Sequence, residues 1–213
     1  MKIALFGATG MIGSRVLAEA RARGHEVTAV VRDPARAPEA ATAVAVGDVR
    51  DADSVASAVA GHDAVVSAVG GAAADGEEPL VLRAAAAMLD ALPRAGVERL
   101  LVVGGAGSLL TPQGLRLIDR PEFPSAWRPA SDAQVQALGR YRAADTAVVW
   151  SYLSPADVIE PGERTGDYVL GEDHAVFDAA GESRISAEDY AAALVDELES
   201  PAHLRRRFTV GYA

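Results

Sequence analysis

The chain has 213 residues, half of them apolar, and a formal net charge of -10. That length and apolar share allow one sizeable core, while the acidic balance excludes a basic phosphate-binding face, so no nucleic-acid partner is expected. The absence of cysteine removes disulfides, thiolate metal sites and cysteine nucleophiles. No leader-like or membrane-spanning apolar run is present, so the expectation is a soluble, cytoplasmic protein with no membrane partner.

The opening stretch MKIALFGATGMIG runs from the apolar Ile3–Phe6 into Gly7, Gly10 and Gly13. It reads as a strand, a glycine turn and the first turn of a helix. The spacing G-x-x-G-x-x-G differs from the G-x-G-x-x-G dinucleotide fingerprint. The glycines have the same uses, however: a tight turn, close backbone approach to a pyrophosphate, and close helix–strand packing. The free N–H groups and positive dipole end of the helix would meet the phosphates. Ile12, Val16, Leu17 and Ala20 recur at helical spacing before Gly24 stops the helix. Short apolar strands follow over 27–31, ending at Arg32-Asp33-Pro34, and over 43–46, ending at Gly47-Asp48. Asp51 is placed to cap a helix carrying Val55, Ala58 and Val59, and Gly61 ends it before a fourth strand over 64–69, closed by Gly70 and Gly71.

A helix is expected from about Pro79 to Arg94, then a fifth strand over 99–103 bounded by the glycines from Gly104 to Gly107. Alternating strands and helices with nearly continuous apolar strands predict an α/β fold. Its core would be a doubly wound parallel sheet with helices on both faces, in a single domain over 1–213. The alternation then stops for more than twenty residues. Leu115, Leu117, Ile118, Phe123 and Trp127 argue that this stretch is folded against the sheet's carboxyl edge. Ser131 and Gln134 form a capping-box pattern for a helix through about Ala144, and a sixth strand is expected over 147–153. The segment from Ala156 to Ser183 reads as irregular with short strands. Ser186 with Asp189 caps a last long helix, the basic cluster from Arg205 to Arg207 reads as a solvated strand entry, and a final strand is expected over 208–212. The substrate-side elements are expected at about 105–130 and 154–185.

With FGATGMIG, VVRDP, GDVRD, VVGGAGSL, LSPADVIEPGERTG, GESRISAEDYA and RFTVGY in place, the chain resembles the atypical short-chain dehydrogenase/reductases over essentially its whole length. Within them it is similar to the NmrA-like NAD(P)H-binding proteins and the bacterial NADH-flavin reductase group. The resemblance implies that Gly7, Thr9, Gly10, Met11 and Ile12 bind the pyrophosphate, and that Asp48 with Val49 lies near adenine. It also implies that Val69, Gly70 and Gly104 flank the nicotinamide half and that Ser154-Pro155 approaches the carboxamide.

An acidic residue beyond the second strand favours the ribose hydroxyls of NAD, whereas an arginine holds the 2'-phosphate of NADP. Strand alternation puts Thr28, Val30 and Arg32 on one face, so Arg32, with Arg36 as a second cation, points to NADP(H) over NAD(H). The alternative is that Asp33 reads the ribose. Ketone-reducing relatives use a Tyr-x-x-x-Lys pair, but here Tyr141 is followed by Asp145 and the only lysine is Lys2. Ser108, beyond the fifth strand, is the candidate catalytic hydroxyl, with local turn bonding as its alternative. Trp127, Tyr141 and His174 are candidate substrate contacts, though Tyr141 reads more readily as a packing residue than as an acid. No histidine and carboxylate spacing suggests a metal. The function expected is NADPH-dependent hydride transfer to a flavin, quinone or activated alkene, with any flavin a substrate rather than a bound cofactor. The alternatives are a non-catalytic redox sensor and an isomerase or cyclase.

Overall fold

The computed structural model describes residues 1–70 and 77–213. Gly71, expected to close the fourth strand, lies outside the described residues. Six parallel strands are joined by four helices, β2 passing to β3 without one: β1 (Lys2–Phe6), α1 (Met11–Ala22), β2 (Glu26–Val31), β3 (Ala43–Val46), α2 (Ala52–Val59), β4 (Ala64–Ser67), α3 (Leu80–Arg94), β5 (Arg99–Val103), α4 (Arg128–Ala143) and β6 (Val149–Ser154). Short strands β7 (Val158–Glu160), β8 (Val169–Gly171) and β9 (Arg184–Ser186) precede α5 (Ala187–Glu199) and β10 (Arg206–Gly211).

Eight strands form one sheet in the order β3-β2-β1-β4-β5-β6-β10-β8, parallel except for β8 at the far edge, while β7 and β9 pair separately. Helices α1 and α5 cover one face, with Ile3, Leu5, Val16, Leu17, Leu101 and Leu194 among the buried contacts. Helices α2, α3 and α4 cover the other through Phe6, Val55, Met88, Leu92, Leu100 and Trp150. Coverage of both faces explains the unbroken apolar runs of β1, β4 and β5, since beyond the entry residues Lys2 and Arg99 every position of these strands is buried. At the edge, β3 leaves Val44 and Val46 exposed. Strand order reverses between β1 and β4, which opens a crevice at their carboxyl ends.

Local chemistry fixes several boundaries as expected. Asp51 accepts hydrogen bonds from the amides of Asp53 and Ser54 at the start of α2, and Ser186 accepts from Asp189 at the start of α5. Two boundaries differ. Helix α4 begins at Arg128, ahead of the Ser131 cap, because Pro129 in its first turn needs no N–H partner and lets the helix continue from a 3-10 turn over Ser125–Trp127. Ser131 and Gln134 therefore lie inside the helix. Arg207, expected to be solvated, is buried in β10 and ion-paired with Asp173. The long segment after β5 folds back on itself: Leu117 and Ile118 are bonded to Leu109 and Gly107, and Leu109, Leu117 and Ala175 form a small cluster. Within it Leu115 and Trp127 stay exposed.

Candidate functional site

A groove of about 710 Å³ runs along the carboxyl ends of the strands, within the ~300–1,000 Å³ range of small-ligand sites. Its wall is made by the ends of five strands in turn: Phe6–Ile12 after β1, Val31–Arg36 at β2, Gly47–Arg50 after β3, Ala68–Gly70 after β4, and Val103–Gly104 after β5, with Leu80 and Gln134 closing one end.

At the centre lies the β1–α1 turn. Gly7 has φ +81, and a Cβ there would stand 2.3 Å from the Ala68 carbonyl oxygen. A Cβ on Gly13 would stand 2.1 Å from the Gly7 oxygen, so this glycine lets α1 pack onto the turn. Gly10 is different. Its φ of -79 and ψ of 170 suit any residue, and an added Cβ would have only the Gly7 oxygen, 3.4 Å away, as a neighbour. The fold does not need a glycine there; a ligand pressed against the backbone does. Among the described residues no side chain caps α1, and no acidic residue sits in its first turn, which leaves the positive end of the helix for an anion. The residues present therefore fit a bound pyrophosphate.

One end of the groove is cationic. Arg32, Arg36 and Arg50 all line it. Arg50 makes a two-pronged contact with Asp48, with Nη2 2.5 Å from Oδ2 and Nε 2.9 Å from Oδ1. The Arg50 guanidinium beside Asp48, against an opposing contribution from burial, pulls the carboxyl down to about 2, and the Arg32 charge adds to the effect. Among the described residues the Arg32 and Arg36 guanidiniums have no hydrogen-bond or ion-pair partner, although the Arg36 amide donates to the Asp33 carbonyl. Asp33 also faces the groove, but its carboxylate accepts from the Ala35 amide and caps a 3-10 turn.

The opposite end, among the described residues, is uncharged, made of Val69, Gly70, Leu80, Val103, Gly104 and Gln134. The groove thus brings together Gly7, Thr9, Gly10, Met11, Ile12, Arg32, Arg36, Asp48, Val49, Val69, Gly70 and Gly104. Ser154 and Pro155 are not on its wall: both are buried, and the Ser154 Oγ is enclosed at the end of β6 with no partner among the described residues. Nor are the candidate substrate contacts. Tyr141 is buried against Trp150 and Tyr152, with ring centroids 5.8 and 6.1 Å away, and burial pushes its hydroxyl pKa up. Trp127 is 55% exposed at the start of α4. His174 is exposed and bridged to Leu110, while the Ser108 hydroxyl accepts from Arg207 Nη1 at 3.3 Å. Two wall residues with polar side chains were not singled out as site residues in the sequence. Arg50 follows Asp48 by two positions, a spacing that could have flagged the pair; Gln134 carried only a capping signal.

A family model described as NAD(P)H-binding matches residues 7–201 of the chain. A Bacillus subtilis relative, the uncharacterized protein YwnB, is 44% identical over 99% of this chain and 98% of its own length. Among solved structures, a Streptococcus pneumoniae protein described as a "putative NADH-flavin reductase" is 36% identical with a TM-score of 0.87, covering 100% of both chains. A Bacteroides thetaiotaomicron protein described as a "putative epimerase" is 42% identical with a TM-score of 0.89, covering 99% of this chain and 96% of that one.

Proposed function

Because the chain belongs to the NAD(P)H-binding family, we propose that it is an NADPH-dependent reductase whose acceptor is a flavin, a quinone or an activated alkene. The family and the pneumococcal relative support a general oxidoreductase role. The finer reading is carried by the polarity of the groove, which among the described residues has unpaired guanidiniums at one end, an uncapped helix terminus in the middle and an uncharged far end.

Gly7, Thr9, Gly10, Met11 and Ile12 would hold the pyrophosphate and Asp48 with Val49 the adenine. Arg32 and Arg36 would take the 2'-phosphate through charge-assisted contacts. When bound, the reduced nicotinamide supplies a hydride from C4. What the chain adds is position and exclusion of water, by Val69, Leu80 and Val103 around the uncharged end.

No lysine other than Lys2 exists to tune a tyrosine, and Tyr141, Tyr152 and Tyr190 are buried with hydroxyl pKa values raised by that burial. An acceptor that spreads incoming charge over a conjugated system needs no such acid. A quinone taking the hydride completes its two-electron reduction with one proton from water. The test is NADPH oxidation against a panel of flavins, quinones and enones, run beside binding calorimetry. Turnover supports the enzyme, whereas tight NADPH binding with no turnover for any acceptor favours a non-catalytic sensor.

A further inference from the structure

At the Leu80 end of the groove, Gln134 is, among the described residues, the one lining side chain that carries a hydrogen-bonding group. It stands on α4 and meets β5 where that strand exits as Gly104-Gly105. Both glycines lie outside the positive-φ region, so their small size rather than their backbone freedom is what the site uses. A Cβ on Gly105 would sit 2.8 Å from the Gln134 Cβ, and one on Gly104 would sit 2.1 Å from the Tyr152 ring. The pair of glycines therefore seats Gln134 and Tyr152 together.

The Tyr152 hydroxyl lies 2.6 Å from Gln134 Oε1 and 3.1 Å from the Gln134 backbone oxygen. A phenol has one proton, and the shorter contact directs it to Oε1. Burial pushes the Tyr152 pKa up, which keeps that proton in place. With its oxygen engaged, the amide presents its nitrogen, and among the described residues Gln134 Nε2 has no partner and is not buried. We propose that Gln134 is a substrate-positioning donor, its Nε2–H held by Tyr152 to bond a carbonyl-type oxygen at the dihydronicotinamide end of the groove. That oxygen belongs either to the nicotinamide carboxamide or to the hydride acceptor. The assignment rests on reading the groove as a dinucleotide site.

The experiment compares wild type with Gln134→Leu, Gln134→Glu and Tyr152→Phe, each checked for folding by circular dichroism. Calorimetry gives affinities for NADPH and for 2',5'-ADP, which lacks the nicotinamide half, and single-turnover mixing with menadione gives the hydride-transfer rate. Affinity for 2',5'-ADP should be unchanged throughout. If the oxygen is the carboxamide's, Gln134→Leu weakens NADPH by about five- to tenfold. If it is the acceptor's, NADPH affinity holds and the menadione rate falls at least about tenfold, since the bond strengthens as charge develops. Gln134→Glu, which turns an acceptor toward that oxygen, loses at least as much in the same readout, and Tyr152→Phe loses less. A wild type inert toward menadione together with an NADPH loss in Gln134→Leu sinks the menadione reductase reading and leaves Gln134 assigned. Unchanged NADPH affinity in Gln134→Leu, with menadione reduction unchanged or absent in wild type, overturns the assignment.

Discussion

Gly10→Val separates the ligand's need for a glycine from the fold's. The backbone at Gly10 already has φ -79 and ψ 170, which valine adopts without strain, and its Cβ would meet nothing closer than the Gly7 oxygen at 3.4 Å. The helix loses no side-chain cap, because none exists there. Stability should therefore change by no more than about 1 kcal/mol. The two γ-methyl groups project where the phosphates would approach the turn, and NADPH affinity should fall at least about tenfold, roughly 1.4 kcal/mol. Gly13→Ala is the contrasting control. Its Cβ would lie 2.1 Å from the Gly7 oxygen, so the turn must move, at a cost of about 1–3 kcal/mol. Thermal melts without ligand and calorimetry with NADPH read both effects. Unchanged NADPH affinity in a folded Gly10→Val protein would refute the reasoning, as would a loss of stability matching that of Gly13→Ala.

Arg32→Glu should cost NADPH at least about 1.5–3 kcal/mol while sparing or improving NADH, because the carboxylate repels a 2'-phosphate and accepts from ribose hydroxyls. A ratio of the two dissociation constants equal to that of wild type at fixed salt would place the phosphate elsewhere. Tyr141→Phe should keep kcat within about threefold, since its hydroxyl has no partner among the described residues and Tyr141 is not on the groove wall, lining instead a small cavity behind Val69, Val103 and Gln134; a loss of roughly 10²- to 10⁴-fold would make it the missing acid. Glu197→Gln should destabilise the protein by up to about 3–5 kcal/mol at neutral pH, for it strips the partly buried Arg99 of its carboxylate. Burial pushes the Glu197 carboxyl up, but hydrogen bonds from His203, the Ala202 and His203 amides and Ser151 outweigh it and hold its pKa low. A carboxyl depressed in the folded state stabilises it fully above the unfolded value near ~4.3 and loses that contribution as pH falls through the folded value. The difference in stability between wild type and Glu197→Gln should then shrink as pH drops below about 4, and a difference that stays constant on acidification would contradict it.

The parts of this molecule written in local chemistry were legible in its sequence. Apolar runs gave the strands, because both faces of the sheet are covered, and Gly7, Asp51 and Ser186 marked turns and caps through contacts only a few residues away. Arg32 and Asp48 could be placed on the groove because a strand's exit in a parallel sheet points to the ligand crevice. The uncharged end was not legible, because its key contact joins α4 to β6 across the sheet: nothing in the spacing of Gln134 and Tyr152 announces a 2.6 Å hydrogen bond. Tyr141 stood out as a chemical residue, yet it lies seven positions beyond Gln134 on the same helix, about 10 Å further along the axis and away from the carboxyl edge. Ser108 and Arg207 illustrate the same limit, since the guanidinium that engages the hydroxyl comes from a strand 99 residues downstream.

Hydride transfer itself is tested by NADPH carrying deuterium at C4, one preparation for each face of the ring, mixed with the protein and an excess of a cyclic enone. Reduction at the β-carbon leaves that deuterium in a C–H bond that does not exchange with water, so mass spectrometry of the saturated ketone reads the transfer directly. The account predicts one deuterium per product molecule from one of the two preparations and none from the other, with the reaction lost in Gly10→Val. Product that carries no deuterium from either preparation, or no product at all while calorimetry shows NADPH bound, would contradict it for this acceptor class.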